Sequence, residues 1–151
     1  MSELHDGSAL ALVERQLDEW LHTLAAVNPA VQAVARDEEE PRRWMVRLKG
    51  EAKEYTTVWL HLGQRTLRYE TYLMPAPEEQ HAQLYEHLLR RNERLVGAHF
   101  AIGVEDAIFL RGELPLVALS EAELDRIVGS LYAYVEQCFP AAIRIGFASR
   151  F

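Results

Sequence analysis

Six histidines, one cysteine and two carboxylate clusters are the side chains of this sequence that could do acid–base, nucleophilic or metal chemistry. The histidines are His5, His22, His61, His81, His87 and His99. No two stand four residues apart, so the paired helical ligands of a zinc site are missing. His61 and His99 fall in segments that read as strands and can share one sheet face. A metal or proton relay there needs a third partner that the sequence does not name. Asp37-Glu38-Glu39-Glu40-Pro41 is an acidic run, but the glycine and alternate-oxygen spacing of a calcium loop does not follow it. It reads as a solvated turn. Glu105-Asp106 joins two short apolar segments, where acidic residues serve turns. Cys138 lies in a helical pattern with no histidine or cation beside it in local sequence, and reads as a small core residue. Glycine-rich phosphate loops, H-E-x-x-H, paired C-x-x-C and G-x-S-x-G are all absent. The expectation is a chain with no catalytic residue, no cofactor and no metal.

The elements that carry these residues are organised around Glu54–Met74, EYTTVWLHLGQRTLRYETYLM, which reads as two strands. Thr56, Val58, Leu60 and Leu62 alternate with Tyr55, Thr57, Trp59 and His61, the period of a half-buried strand. A two-residue loop at Gly63-Gln64 sets Leu60 opposite Leu67 and Val58 opposite Tyr69. The same register sets Trp59 opposite Arg68, Thr57 opposite Glu70 and Tyr55 opposite Tyr72. Arg43–Lys49 precedes this hairpin with its own alternation, placing Trp44, Val46 and Leu48 inward. Val31 to Ala35 offers a short edge strand before it.

Leu10, Val13, Leu17, Leu21 and Leu24 form a helical stripe that ends at Asn28-Pro29. Pro77 suits the first turn of a second helix, with Glu78 and Glu79 at its positive end and Arg90, Arg91 and Arg94 near the other. Its stripe is His81, Leu84, Tyr85, Leu88 and Leu95, broadened by Leu89. Two short strands follow in GAHFAIG (97–103) and AIFLR (107–111). Ser120-x-x-Glu123 has capping-box spacing before a third helix with Leu124, Ile127, Val128, Leu131, Val135 and Cys138 inward. Phe139-Pro140 is expected to break that helix, leaving an apolar tail (Ile143, Ile145, Phe147) to pack back. Short connections favour antiparallel pairing. One sheet of about five strands with one covered face follows, in the α+β class.

At 151 residues the chain fits a single domain, residues 1–151, large enough to bury a core without disulfide or metal. A formal charge of −7 argues against nucleic acid or an anionic membrane surface as partner. No apolar run approaches the roughly 20 residues of a membrane span. Glu3 and Asp6 stand where a signal peptide would carry cations, and one cysteine suits a reducing compartment. A cytoplasmic location is the expectation.

The face turned away from the core is less ordinary. It gathers Arg43, Met45, Arg47, Lys49, Tyr55, Trp59, Arg68 and Tyr72, with His99, Phe109 and Arg111 extending it. Trp59 opposite Arg68 would make a cation–π pair. Two main readings stand side by side: a face that is solvated with ordinary cross-strand pairs or covered by the tail, and a surface for a protein partner or a second copy, with single-stranded nucleic acid a minor third that the net charge disfavours.

The stretches TTVWLHLGQRTLRYETYLMPAPEEQHAQLYEHLLRRN and GAHFAIGVEDAIFLRGELPL, followed by the Leu124–Tyr134 helix, resemble the actinobacterial branch of the YbjN domain family of sensory transduction regulators. The likeness runs from about Arg43 to the end of the chain. It implies a type III secretion chaperone-like fold, with a small antiparallel sheet and three flanking helices in the order α-βββ-α-ββ-α. It also implies a non-enzymatic homodimer that binds protein in regulation or chaperoning. The family brings no catalytic residues to transfer. Candidate partner-binding residues are Arg47, Tyr55, Trp59, Arg68 and Tyr72. By analogy with the chaperone fold, candidate self-association residues are Leu84, Tyr85, Leu88 and Phe100, although such a helix stripe is more often plain core. The alternative is a small-ligand sensor with a pocket between sheet and helices, near His61, Trp59 and Arg68.

Overall fold

A computed structural model describes residues 6–151. His5 and Glu3 lie outside the described residues. The elements run α1 (Gly7–Val27), β1 (Val31–Arg36), β2 (Arg43–Lys49), β3 (Tyr55–Leu62), β4 (Thr66–Met74), α2 (His81–Asn92), β5 (His99–Ile102), β6 (Ile108–Pro115) and α3 (Glu121–Gly146). The strands form one antiparallel sheet in the order β1-β2-β3-β4-β6-β5. Strand alternation decides what lies inside. Trp44, Val46, Leu48, Val58, Leu60, Leu62, Leu67 and Leu110 are buried against Leu17 and Leu21 of α1 and Leu124, Leu131 and Val135 of α3. The α+β architecture expected from periodicity is present. The suggested edge strand is real, and it makes the sheet six-stranded.

Three local expectations are corrected. The β3–β4 loop is Gln64-Arg65, with the Gly63 amide donating to the Thr66 carbonyl at 2.9 Å. Leu60 therefore faces Tyr69, His61 faces Arg68 and Trp59 faces Glu70 rather than Arg68. A shift of two residues keeps every side chain on its face, so hydrophobic alternation cannot distinguish the two registers.

Helix α2 starts at His81, after Gln80 in the left-handed region (φ 52°), and not at Pro77. Pro77 is buried, and the Glu78 and Glu79 amides donate to the Gly146 carbonyl at the end of α3. The two glutamates tie a connection to α3, with Glu78 also paired to Arg150, instead of meeting the α2 dipole.

Helix α3 continues through Pro140 to Gly146. Proline removes one amide hydrogen bond, but the buried stripe Cys138, Ala142 and Gly146 continues on the same face beyond it. Continued burial of that stripe outweighs the lost bond.

One buried polar atom stands apart. Thr56 is fully buried, and its hydroxyl finds no hydrogen-bond partner among the described residues. Thr71, equally buried, donates to the Thr57 carbonyl at 2.7 Å. Thr56→Val keeps the shape and removes the unpaired hydroxyl, so it should stabilise the fold by about 1 kcal/mol. Urea denaturation checks this; a lower midpoint would show that the hydroxyl is satisfied.

Candidate protein-binding face

The helices cover one side of the sheet, and the side chains of the other side lie in cross-strand rows. Met45, Trp59, Glu70, Arg111 and His99 stand in one row across β2, β3, β4, β6 and β5. Arg43, His61, Arg68 and Glu113 form the next. Tyr72 faces Phe109 in a third, their rings edge to face at 5.8 Å. Cations cover the rings of this face. The Arg43 guanidinium sits 4.1 Å from the Trp59 ring centre and that of Arg47 sits 3.8 Å from Tyr55. Lys53 lies 4.9 Å from Tyr72, and Arg111 lies 4.7 Å from Phe109. Each such stack contributes roughly 0.5–1 kcal/mol at an exposed site, and it fixes two long side chains in one geometry.

Carboxylates pair with part of this charge. Arg111 meets Glu70 at 2.9 Å, Arg43 meets Asp37 at 3.0 Å and Arg68 meets Glu113 at 3.6 Å. The amides of Glu39 and Glu40, with Arg43, hold the Asp37 carboxyl below its ordinary value. Arg47 and Lys49 make no ion pair with any described residue. Between the rows runs a groove of about 640 Å³, lined by Arg43, Trp59, His61, Arg68, Glu70 and Arg111 among others.

At one end of the face the Gly50–Glu54 turn is pinned from behind. The Glu136 carboxylate of α3 accepts the amides of Glu51 (2.6 Å), Ala52 (3.2 Å) and Lys53 (3.1 Å). The Lys53 amine then donates to the Tyr72 carbonyl at 2.6 Å, and burial lowers its pKa to about 8.

Residues 16–144 match the model of the YbjN family, described as "Putative bacterial sensory transduction regulator". The chain belongs to the YbjN family. The match takes in most of α1, which the likeness seen from Arg43 onward did not reach. Uncharacterized proteins of Mycobacterium tuberculosis and Mycobacterium bovis are each 33% identical over 109 residues, covering 72% of this chain and 60% of theirs. One from Mycobacterium leprae is 31% identical over 107 residues, 71% of this chain and 58% of its own. The chain thus spans about 60% of the length of these relatives. Two solved structures share the fold. A chain of the heterodimeric ExoU–SpcU complex from the type III secretion system of Pseudomonas aeruginosa aligns with TM-score 0.56 and 15% identity, over 82% of this chain and 95% of that one. A chain of the ExsC–ExsE complex aligns at 0.55 with 17% identity, over 83% and 95%. The YbjN fold here is type III secretion chaperone-like.

In this YbjN chain the candidate partner residues Arg47, Tyr55, Trp59, Arg68 and Tyr72 do share the open face. Arg68 stands in the row of His61 and Glu113, away from the Trp59 ring, which Arg43 covers instead. Leu84, Leu88 and Phe100 are core residues of the single chain, and Tyr85 is half-buried at its margin. The groove beside His61, Trp59 and Arg68 lies outside the sheet, because those side chains point away from the helices, and not between sheet and helices. Among the described residues no group of three or more His, Cys, Asp or Glu could hold a metal, and no helix is long and apolar enough to cross a membrane. The sequence did not single out Glu70 and Glu113 for this face, although each lies two residues from an outward arginine, Arg68 and Arg111. Glu136 and Lys53 carried no local signal, since their partners come from distant elements.

Proposed function

We propose that this YbjN-family chain is a non-enzymatic, regulatory or chaperone-like module that works as a homodimer in the cytoplasm and receives a protein partner on its open sheet face. The observation behind this is the uncovered face itself, where arginine and lysine side chains hold Trp59, Tyr55 and Tyr72 in place. Trp, Tyr and Arg dominate binding energy at protein interfaces, and side chains already ordered lose less entropy when a partner arrives. That the structural neighbours were solved as complexes with a second protein supports the same reading. For self-association, the half-buried Tyr85 and the exposed Leu89, Val96 and Ile102 near α2 and β5 are the available apolar side chains.

Affinity capture from the native cytoplasm tests the reading. Trp59→Ala with Arg47→Ala should reduce bound partners at least tenfold while leaving thermal unfolding within a few degrees of wild type, because both side chains lie on the open face. Unchanged capture overturns the sheet face as partner surface. Light scattering that gives a monomer at micromolar concentration overturns the homodimer. A second reading, a small-ligand sensor, draws on the groove volume, which falls within the range of ligand sites. Its mark would be a ligand-dependent rise in melting temperature, abolished by Trp59→Ala.

A further inference from the structure

We infer that the open face is built for an acidic, extended segment of a partner protein; this rests on the open face being the partner surface. The argument starts from charge. The chain carries −7 in total, yet the open side of its strands presents Arg43, Arg47, Lys49, Arg68 and Arg111 against Glu70 and Glu113, with Asp37 paired to Arg43 and Glu40 lining the groove. Five cations against four carboxylates leave this face slightly positive on a chain that is acidic as a whole. Arg47 and Lys49 have no carboxylate partner among the described residues, so two of these cations face solvent uncompensated.

The stacks decide between kinds of anion. Single-stranded nucleic acid binds an exposed sheet by laying bases on bare aromatic rings. Here Trp59, Tyr55, Tyr72 and Phe109 each already carry a side-chain cation. A guanidinium held over a ring still has N–H donors that the ring does not use, and these suit the two oxygens of a carboxylate. Arg47, stacked 3.8 Å from Tyr55 and unpaired, is the principal anchor. Arg43 over Trp59 is the second, exchanging its present contact with Asp37 for one from the partner. The width also fits. At ~4.8 Å per strand the face from β2 to β5 is roughly 19 Å across, which about six extended residues span at ~3.3 Å each.

The test uses the full chain and a fluorescein-labelled peptide of alternating Glu and Tyr, about ten residues long so that it spans the face. A Gln-for-Glu analogue and a labelled oligothymidine of similar length are the comparisons. Fluorescence anisotropy should show the Glu peptide binding at least tenfold tighter than the Gln analogue, weakening as salt rises, with oligothymidine no tighter than the Gln analogue. Arg47→Glu, at an exposed position, should cost tenfold or more in affinity for the Glu peptide with unchanged thermal unfolding. Lys49→Glu should give a loss in the same direction. Equal binding of Glu and Gln peptides, or an unaffected Arg47→Glu variant, overturns the inference. So does tighter binding of oligothymidine, which would assign the face to nucleic acid. Salt-sensitive self-association dispersed by Arg47→Glu would assign it to a second copy and overturn the inference as well. If capture still depends on Trp59 while the peptides show no charge preference, the acidic segment is wrong and the partner surface stands. If capture ignores the face altogether, both fall.

Discussion

Gly112→Ala is expected to destabilise the fold by about 3 kcal/mol, a large cost for one methyl group and at the upper end for overpacking. Gly112 lies on β6 opposite Tyr69 of β4, at a position whose side chain would point into the core. A Cβ there would come 2.6 Å from Tyr69 Cε1 and closer still to the carbonyl oxygen of Gly97. That oxygen is the acceptor for the Tyr69 hydroxyl, so the tyrosine cannot withdraw without breaking this part-buried hydrogen bond. Urea denaturation followed by circular dichroism measures the effect. A loss under about 0.5 kcal/mol, the level of an ordinary surface change, would mean that the Tyr69–Gly97 contact relaxes freely.

Trp44→Ala should cost about 3–5 kcal/mol, as removal of a large buried aromatic does. Trp44 is only 1% exposed, and its indole N–H donates to Asp18 of α1 at 2.8 Å. Asp18 also accepts from Arg36, which lies over the Trp44 ring at 4.7 Å, while Glu14 accepts from Arg42 and Arg36. Asp18→Ala alone should cost roughly 1–3 kcal/mol by leaving that indole donor buried without an acceptor. In Trp44→Phe the donor is gone, so adding Asp18→Ala should cost measurably less than in the wild-type background. Strictly additive losses would show that the indole–carboxylate bond contributes nothing. The cluster also gives acid sensitivity a direction. Hydrogen bonds from Arg36 above all, and also from Trp44, hold the Asp18 carboxyl below its ordinary value against the effect of burial, and those from Arg42 and Arg36 do so for Glu14. Both carboxylates are thus more acidic folded than unfolded. Their stabilisation is present above about pH 4, near the unfolded values, and is lost as pH falls through the folded ones. Solvent exposure keeps it modest.

Much of the architecture was legible because it depends on period. Strand alternation in Arg43–Lys49 and Tyr55–Leu62 placed Trp44, Val58 and Leu60 inside and Arg47, Tyr55 and Trp59 outside, and the structure agrees. The 3–4 spacing in Ser8–Ala25 and Leu124–Cys138 gave α1 and α3 with their buried stripes. Local rules misread Phe139-Pro140 and Pro77, since proline chemistry describes an isolated segment while burial of Ala142, Gly146 and Pro77 is a tertiary term. The candidate face was legible as a set of residues but not as a set of pairs.

By itself, then, the sequence determined which residues share the open face and that they are basic and aromatic, because that information has a period of two and survives any even shift of register. Only the tertiary structure decided that Arg43, and not Arg68, covers Trp59, and that the sixth strand forms. It alone brought Glu136 to a turn more than eighty residues earlier in the chain. Those outcomes depend on an absolute register and on contacts between remote elements, which are set by how the helices close over one face and leave the other open.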